Sequence, residues 1–402
     1  MSEAVLEVEA PAPVARSRKT LLKRLADVVC LPSSRVNTFE RAMTADLLVE
    51  MLREATAEER GRVAKRLCGL VEVPNTLLRL LLLDEIDVAR PLLEESTALA
   101  DADLIACVLS AEIEHRRLIA MRRDVTHAVS EMLVERGEPQ VVEVLLRNEA
   151  AKLSQPAIDS VVASSRDEPS LVPLVLRRAE VRPSQAYVMF WWAGAEARRT
   201  ILQRFAVSRE VLQEGASDVF ALAAAEGWQD AVSRKALQFI ERRQRNRAAV
   251  EKSPFESLED AVRAAQDGLT QEIADEISYL AGVKPMTGAK IFADDGGEAL
   301  AVLCKATGLP KAAVRALWRG MSRPEADSEG RPLPALERVL ITFDMIAVDR
   351  AQTVLRYWNW SLSSALTPAL LQAIEAGDGS GIDEYSVPQR TAMLALGPKF
   401  AG

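Results

Sequence analysis

The chain has few of the residues that most often carry catalysis or bind metals. Its 402 residues include two histidines and four cysteines, and aromatic residues make up 5%. The cysteines lie far apart and form no CxxC pair: Cys30, Cys68, Cys107 and Cys304. This spacing disfavours both a zinc site and a disulfide framework, so we expect reduced thiols in the core of a cytoplasmic protein.

The two histidines offer no metal site by themselves. His115 and His127 are expected on different helices of one hairpin, where Glu112 and Glu114 are neighbouring carboxylates. Two imidazoles without a cysteine pattern make a poor zinc site, so we interpret both as structural residues. Residues 378–384 resemble a calcium loop but lack its ligand spacing and its bidentate glutamate, and are interpreted as a flexible linker. The sequence therefore predicts no metal ion and no cofactor.

Local signatures of several enzyme classes are missing as well. The chain contains no GxSxG, GxxxxGK(S/T), GxGxxG or HExxH sequence. These are the motifs of the nucleophile elbow, the phosphate loop, the dinucleotide-binding fold and the zincins. We therefore predict that the chain is not an enzyme. The formal net charge of −8 also argues against a protein that coats nucleic acid.

Long hydrophobic runs are absent too. The densest apolar run, residues 186–195, is well below the roughly 18 residues that a membrane-spanning helix needs. Residues 1–20 mix acidic residues, two prolines and basic residues without a continuous apolar stretch, which is not the pattern of a signal peptide. We expect a cytoplasmic protein without membrane insertion.

What the chain does have is an internal repeat. The segment Pro139–Arg147 returns as residues 169–177, and Ser154-Gln155 returns as Ser184-Gln185. Each copy predicts a pair of short helices, and a module of about 30 residues cannot bury its apolar faces without stacking on neighbours. The predicted fold is all-α: a HEAT-like helical-repeat solenoid of short helix pairs, followed by a further helical C-terminal region.

Helix-capping patterns occur along the chain. Thr56-Ala-Glu-Glu59 fits a capping box, and Asp101 or Asp103 is the predicted N-cap of a helix. A second echo relates residues 281–292 to residues 307–318, and each copy predicts a helix, a glycine C-cap and a new helix. A carboxylate in residues 294–298 is predicted to cap the next helix, and residues 336–360 form the longest predicted helix.

The order of these residues resembles a known family. The pattern comprises Val88, Pro91-Leu92-Leu93, Asp101, Leu104, Ile119-Ala120, Leu133-Val134, Gly137, Val141-Val142, Leu145-Leu146, Asn148 and Ser154. It resembles a mainly alphaproteobacterial family of HEAT-like helical-repeat proteins, the domain of unknown function 2336. The match is dense over residues 77–205 and looser through residue 310. The resemblance implies cytosolic helical repeats in a bacterial protein, and it supplies no activity or catalytic residue.

Composition and turn signals suggest the domain limits. We predict a disordered arm over residues 1–19, an N-terminal helical-repeat domain over 20–252, a C-terminal helical domain over 253–376, and a flexible tail with a short helix over 377–402. Ser253-Pro254 marks the central boundary.

Two clusters are candidate partner-binding sites. Tyr187, Trp191 and Trp192 belong to an unusually aromatic segment, which either packs between repeats or forms a hot spot for a protein partner. Arg242, Arg243, Arg245 and Arg247 end a predicted helix, where they are either a solvated helix end or a site for an acidic or phosphate-bearing partner.

Three functions remain open from the sequence. The leading one is a non-enzymatic scaffold or regulatory adaptor that holds another protein on its helical array. The second is a regulator that binds a nucleotide or nucleic acid through the arginine cluster, which the acidic balance disfavours. The third is an enzyme on helical repeats of the DNA-glycosylase type, which needs a basic concave face that the sequence does not reveal.

Overall fold

Helices are the regular elements of the chain wherever its structure is described. The computed structural model describes residues 13–32, 34–206 and 249–363. Within these ranges there is no β-strand, and one isolated bridge joins Ala326 and Pro332. The prediction of an all-α fold is therefore confirmed.

The chain divides into two compact units, Met1–Val161 and Val162–Gly402. The helices that lie wholly in the first unit are α1 (Pro13–Val29), α2 (Thr38–Arg53), α3 (Ala57–Leu67), α4 (Asn75–Leu82), α5 (Ile86–Glu95), α6 (Asp101–Ser110), α7 (Ile113–Met121), α8 (His127–Glu135) and α9 (Pro139–Arg147). Helix α10 (Gln155–Ser164) contains the division itself.

The second unit begins with short elements and continues with longer helices. In order they are a 3₁₀ turn (Pro169–Leu171), α11 (Val172–Val175), α12 (Pro183–Met189), α13 (Ala195–Thr200), a π-helical turn (Ile201–Phe205), α14 (Leu258–Ala265), α15 (Gln271–Leu280), α16 (Pro285–Phe292), α17 (Glu298–Thr307), α18 (Lys311–Gly320), α19 (Pro334–Met345) and α20 (Val348–Ser363). The domain limits predicted from the sequence stay predictions. The sequence also predicts helices over residues 208–225 and 228–247, and both ranges lie outside the described residues.

The first unit is a succession of stacked helices. Helices α3, α5, α7 and α9 contact one another in sequence, while α2 packs on α4 and α6 packs on α8. The apolar residues of each helix that face these neighbours are buried, as with Leu92 in α5 and Leu145 in α9. This arrangement is compatible with the helical repeats that the sequence predicts.

A recurring hydrogen bond joins successive helix pairs. Just after α7, the Arg122 guanidinium donates to the carbonyl oxygens of Leu93 and Ser96 at 2.6 and 3.0 Å. Just after α9, the Asn148 amide donates to the carbonyl oxygens of Ala120 and Arg122 at 2.8 and 2.6 Å. Because the last carbonyls of a helix have no intrahelical partner, these side chains satisfy the end of a helix two places earlier, α5 for Arg122 and α7 for Asn148.

The same contact occurs within the second unit. There the Arg204 guanidinium donates to the carbonyl oxygen of Leu176, and to that of Arg178 at 3.4 Å. The apolar repeat of the sequence thus has a polar counterpart at the helix ends.

The two copies of the sequence repeat fold differently. The first copy is the continuous helix α9, whereas the second is a 3₁₀ turn followed by the single turn of α11. Pro173 occupies the position of Glu143, and proline has no amide hydrogen to donate to a preceding carbonyl. A proline is tolerated in a first turn, so α11 starts just before it.

Several predicted local features are confirmed. The hydroxyl of Thr56 accepts from the Glu59 amide, and the Glu59 carboxylate accepts from the Thr56 amide, both at 3.3 Å. At the end of α17, Leu309 N–H donates to Cys304 and Gly308 N–H to Lys305, with Gly308 at φ +83°. Val283 and Gly282 make the equivalent bonds at the end of α15, so both glycines end their helices as expected.

Other predicted boundaries need correction. The sequence predicts a first helix over residues 20–29, whereas in the structure this helix begins at Pro13. Neither Asp101 nor Asp103 is the N-cap of α6: the cap is Ala100, and the Asp103 carboxylate accepts from its amide at 3.3 Å. The longest predicted helix, over 336–360, is two helices, α19 and α20, separated by the extended residue Ile346. The break lets both halves pack on α17.

Helix α17 is the centre of the second unit. It contacts α16, α18, α19 and α20, and residues on all its sides are buried. A helix that is apolar around its circumference must be covered on all sides, which explains why four helices surround it. Burial raises the pKa of the Cys304 thiol on this helix to about 12. Desolvation has the same effect on Cys107 in α6, whose pKa is also about 12.

Gly308→Ala should lower the free energy of unfolding by about 1 kcal/mol, because a side chain at positive φ is strained even where space is open. Gly69→Ala is the matched control, since this exposed glycine has open space and an ordinary φ. Urea unfolding measures both. Equal effects of the two substitutions would contradict the assignment of Gly308 as a left-handed cap.

The Cys304 thiol should resist alkylation by iodoacetamide at neutral pH and react only after unfolding in urea.

The stabilising effect of the Cys304 thiol should be present below the ordinary pKa of 9.0 and should decline as the pH rises from there towards about 12, because the unfolded thiol ionises first. Urea unfolding of the wild type and of Cys304→Ala across this range measures the effect. If the difference in free energy of unfolding between the wild type and Cys304→Ala did not change with pH, this prediction would be contradicted.

Candidate functional site

The aromatic residues singled out from the sequence lie at different depths in the second unit. Tyr187 on α12 is fully buried, and its hydroxyl donates to the Phe205 carbonyl oxygen at 2.5 Å. Its ring centroid lies 5.2 Å from that of Tyr357 on α20. Tyr187 is therefore a core residue in this structure and offers no surface to a partner.

The two tryptophans that follow are only partly buried. The ring of Trp191 lies 4.7 Å from that of Trp358, and the Lys290 ammonium lies 5.6 Å from the Trp191 centroid. The indole N–H of Trp192 donates to the Ser165 hydroxyl at 3.1 Å. Each tryptophan has one side fixed by packing and another side in contact with solvent. Their predicted role in binding a partner stays a prediction, and the cluster Arg242, Arg243, Arg245 and Arg247 lies outside the described residues.

A buried charge network lies beside the aromatic residues. The guanidinium of Arg198 on α13 makes two bonds to the Asp294 carboxylate, at 2.7 and 2.9 Å, and one to Glu298 at 2.8 Å. It also donates to the Ala193 carbonyl oxygen at 2.9 Å and lies 4.8 Å from the centroid of the Phe190 ring. Burial alone would lower the pKa of Arg198, but the two carboxylates raise it above its ordinary value, so the arginine stays charged.

The carboxylates of this network also start helix α17. The Asp294 carboxylate accepts from the amides of Gly297 and Ala299 at 2.9 and 3.3 Å, which confirms the predicted cap. Glu298 is the first residue of the helix, where the macrodipole favours a negative charge. A side chain at Gly296 would collide with Arg198 and Glu298, since its Cβ would lie 2.2 Å from both. The chemistry that this arrangement supports is mutual neutralisation of buried charges.

The first unit contains a groove that the sequence reasoning missed, and we call it the α2–α4 groove. Its volume is about 780 Å³, and its lining is mainly apolar with four charged residues: Met43, Asp46, Leu47, Val49, Glu50, Arg53, Thr76, Arg79, Leu80 and Leu83. Three large apolar side chains here are about half exposed: Met43 (52%), Leu47 (57%) and Leu83 (49%). Phe39, one turn before Met43 on α2, is 71% exposed.

A signal for the groove is present in the sequence of α2. Leu48 and Leu52 form its buried face with Ala45, but Phe39, Met43 and Leu47 form a second apolar stripe at spacing i, i+4, i+8. A helix that packs on one side needs one apolar face. The second stripe is thus apolar surface that packing of α2 does not use.

The histidines do not converge with other metal-binding side chains. His115 is buried and its Nε2 donates to the Asp84 carbonyl oxygen at 2.9 Å, while His127 is exposed at the start of α8. Across the described ranges, no group of three His, Cys, Asp or Glu side chains is placed to hold a metal ion. In that same part of the chain, no helix is both long and apolar enough to cross a bilayer.

Fold and surface together define the class: an all-helical protein with stacked short helices and an apolar groove. The sequence matches a family described as an uncharacterised protein conserved in bacteria, the domain of unknown function 2336, over residues 88–356. The match covers more than half of the chain, so the chain belongs to this family. No curated protein and no solved structure gave a significant match.

Arg198→Ala should lower the free energy of unfolding by about 3–5 kcal/mol, because it leaves the buried Asp294 carboxylate without its counter-charge and leaves Glu298 with only the Arg338 guanidinium, at 4.0 Å. The control is Arg199→Ala on the same helix, where the side chain is exposed and the expected change is within about 0.5 kcal/mol. Urea unfolding of both variants measures the difference. Similar stability of the two variants would contradict the structural role of the network.

Proposed function

We propose that the chain is a cytoplasmic, non-enzymatic scaffold or regulatory adaptor that binds a protein partner. The observation that supports this most strongly is the α2–α4 groove of the first unit. Apolar side chains scattered singly over a surface are ordinary, but contiguous apolar patches mark interaction sites. Met43, Leu47 and Leu83 meet in one groove, with Phe39 next to them.

The other exposed large apolar side chains of the described residues are spread over different helices and loops, and none of them lines the groove: Leu21, Val71, Leu109, Met121, Tyr279, Ile341 and Val348. Covering the groove with a partner removes apolar surface from water, at roughly 25 cal/mol for each Å². A partner that covers Met43, Leu47 and Leu83 is therefore stabilised by the burial of their exposed surface.

The second unit offers a further contact surface in this proposal. Trp191 and Trp192 each have a fixed ring with a solvent-facing part. Rigid aromatic side chains lose little conformational entropy on binding and often dominate the energy of an interface. These two residues are proposed as secondary anchors.

Affinity capture from the cytosol of the native organism tests the proposal. Wild type and the control Val71→Glu should retain the same protein partner, whereas Leu47→Glu should reduce its recovery about tenfold, because a charge must then be desolvated at the interface. Val71 is 82% exposed and does not line the groove. Thermal unfolding of all three proteins shows that folding is unchanged. Equal recovery with Leu47→Glu, or no specific partner for the wild type, would contradict the proposed function.

A further inference from the structure

The exposed apolar residues of α2 at the α2–α4 groove have a spacing that suits a helix. On α2 the side chains of Phe39, Met43 and Leu47 follow one another every fourth residue, so they rise in steps of about 6 Å along one line. An amphipathic helix places its own apolar side chains at the same spacing. The helix-in-groove mode of recognition uses this match of spacing.

Three of the four charged side chains that line the groove form ion pairs, and one does not. Glu50 is paired with Arg53 at 3.2 Å, and the Arg79 guanidinium lies 3.9 Å from the Asp103 carboxylate. Asp46 is exposed and forms no ion pair or side-chain hydrogen bond with any residue that the structure describes. The unmatched charge of the groove is therefore negative.

We propose that the occupant of the α2–α4 groove is a cationic amphipathic helix of another protein. Its apolar face covers Met43, Leu47 and Leu83, and a lysine or arginine one turn from an apolar anchor pairs with Asp46. This inference rests on the proposed function and adds the chemistry of the partner to it. Charge complementarity of this kind sets specificity and the rate of association.

The same charges disfavour the other occupants. Residues 1–12 of the chain contain Glu3, Glu7 and Glu9 and no lysine or arginine. A second copy that packs its α2 antiparallel on this α2, with Met43 against Leu47, places Thr44 rather than a cation against Asp46. An anionic membrane surface is repelled by Asp46 for the same reason.

Three synthetic helical peptides provide the test with the full chain. One is amphipathic with leucine on one face and lysine on its flanks, and the second replaces each lysine by glutamate. The third has the composition of the first in an order without an apolar face. Fluorescence anisotropy should show that the lysine peptide binds about tenfold tighter than either of the others, with a preference that falls as salt rises.

Substitutions in the groove then assign the contact. Asp46→Lys should remove the preference for the lysine peptide over the glutamate peptide, and Leu47→Glu should abolish binding of both. Val71→Glu should leave binding unchanged. Equal binding of the lysine and glutamate peptides, binding that survives Leu47→Glu, or no binding would each overturn the inference.

Further measurements distinguish a cationic helix from other occupants of the groove, and separate a failure of this inference from a failure of the proposed function. A dimer that Leu47→Glu dissociates in sedimentation, competition by a peptide of residues 1–12, or Leu47-dependent binding to phosphatidylserine vesicles would overturn the inference in favour of that occupant. Suppose that a partner from cytosol binds only when Leu47 is intact, but the lysine and glutamate peptides bind equally. The proposed function would then stand, and this inference would be wrong. Discrimination between the peptides without any partner in cytosol would contradict the proposed function, while the preference of the groove for a cationic helix would stand.

Discussion

The second unit depends on one buried cation. Arg198 is buried, with 7% of its surface exposed, and a buried charge is tolerated only when opposite charges and hydrogen bonds match it closely. Its two carboxylates, Asp294 and Glu298, come from the start of α17, about 100 residues further along the chain. The need to neutralise Arg198 therefore fixes where α17 begins. Since α16, α18, α19 and α20 all pack on α17, the position of one guanidinium constrains the helices of this unit.

Hydrogen bonds at helix ends organise the repeats in a comparable way. Arg122, Asn148 and Arg204 each follow a helical segment and donate to carbonyl oxygens at the end of an earlier one. Apolar stacking alone tolerates small slips between neighbouring helices, whereas these bonds join particular atoms. The stacking of these helices is thus specified by apolar faces along the helices and by polar contacts at their ends.

The features that could be predicted from the sequence are those that depend only on residues close together in the chain. The capping box at Thr56 and the glycine ends at Gly282 and Gly308 need only a few adjacent residues, and all were expected. The break at Ile346 was missed because no proline or glycine marks it. It follows from packing on α17, which lies far away in the sequence and overrides local helix propensity.

The candidate sites show the same limit. A carboxylate within residues 294–298 was predicted as a cap, but the pairing of Asp294 with Arg198 depends on tertiary structure and leaves no local pattern. Tyr187 was assigned with Trp191 and Trp192 on composition, and only the structure separates the buried ring from the part-exposed ones. The α2–α4 groove has a signal in the sequence, the second apolar stripe of α2, which exceeds what the packing of that helix requires.

Hydrogen exchange measured on the full chain tests the central role of Arg198 most directly. Replacing Arg198 by methionine keeps much of its apolar contact with Phe190 and removes the charge. If the network positions α17, amides in α12, α13 and the first turn of α17 should lose protection together, while Arg199→Met leaves them unchanged. Loss of protection confined to α13, or none at all, would contradict the account.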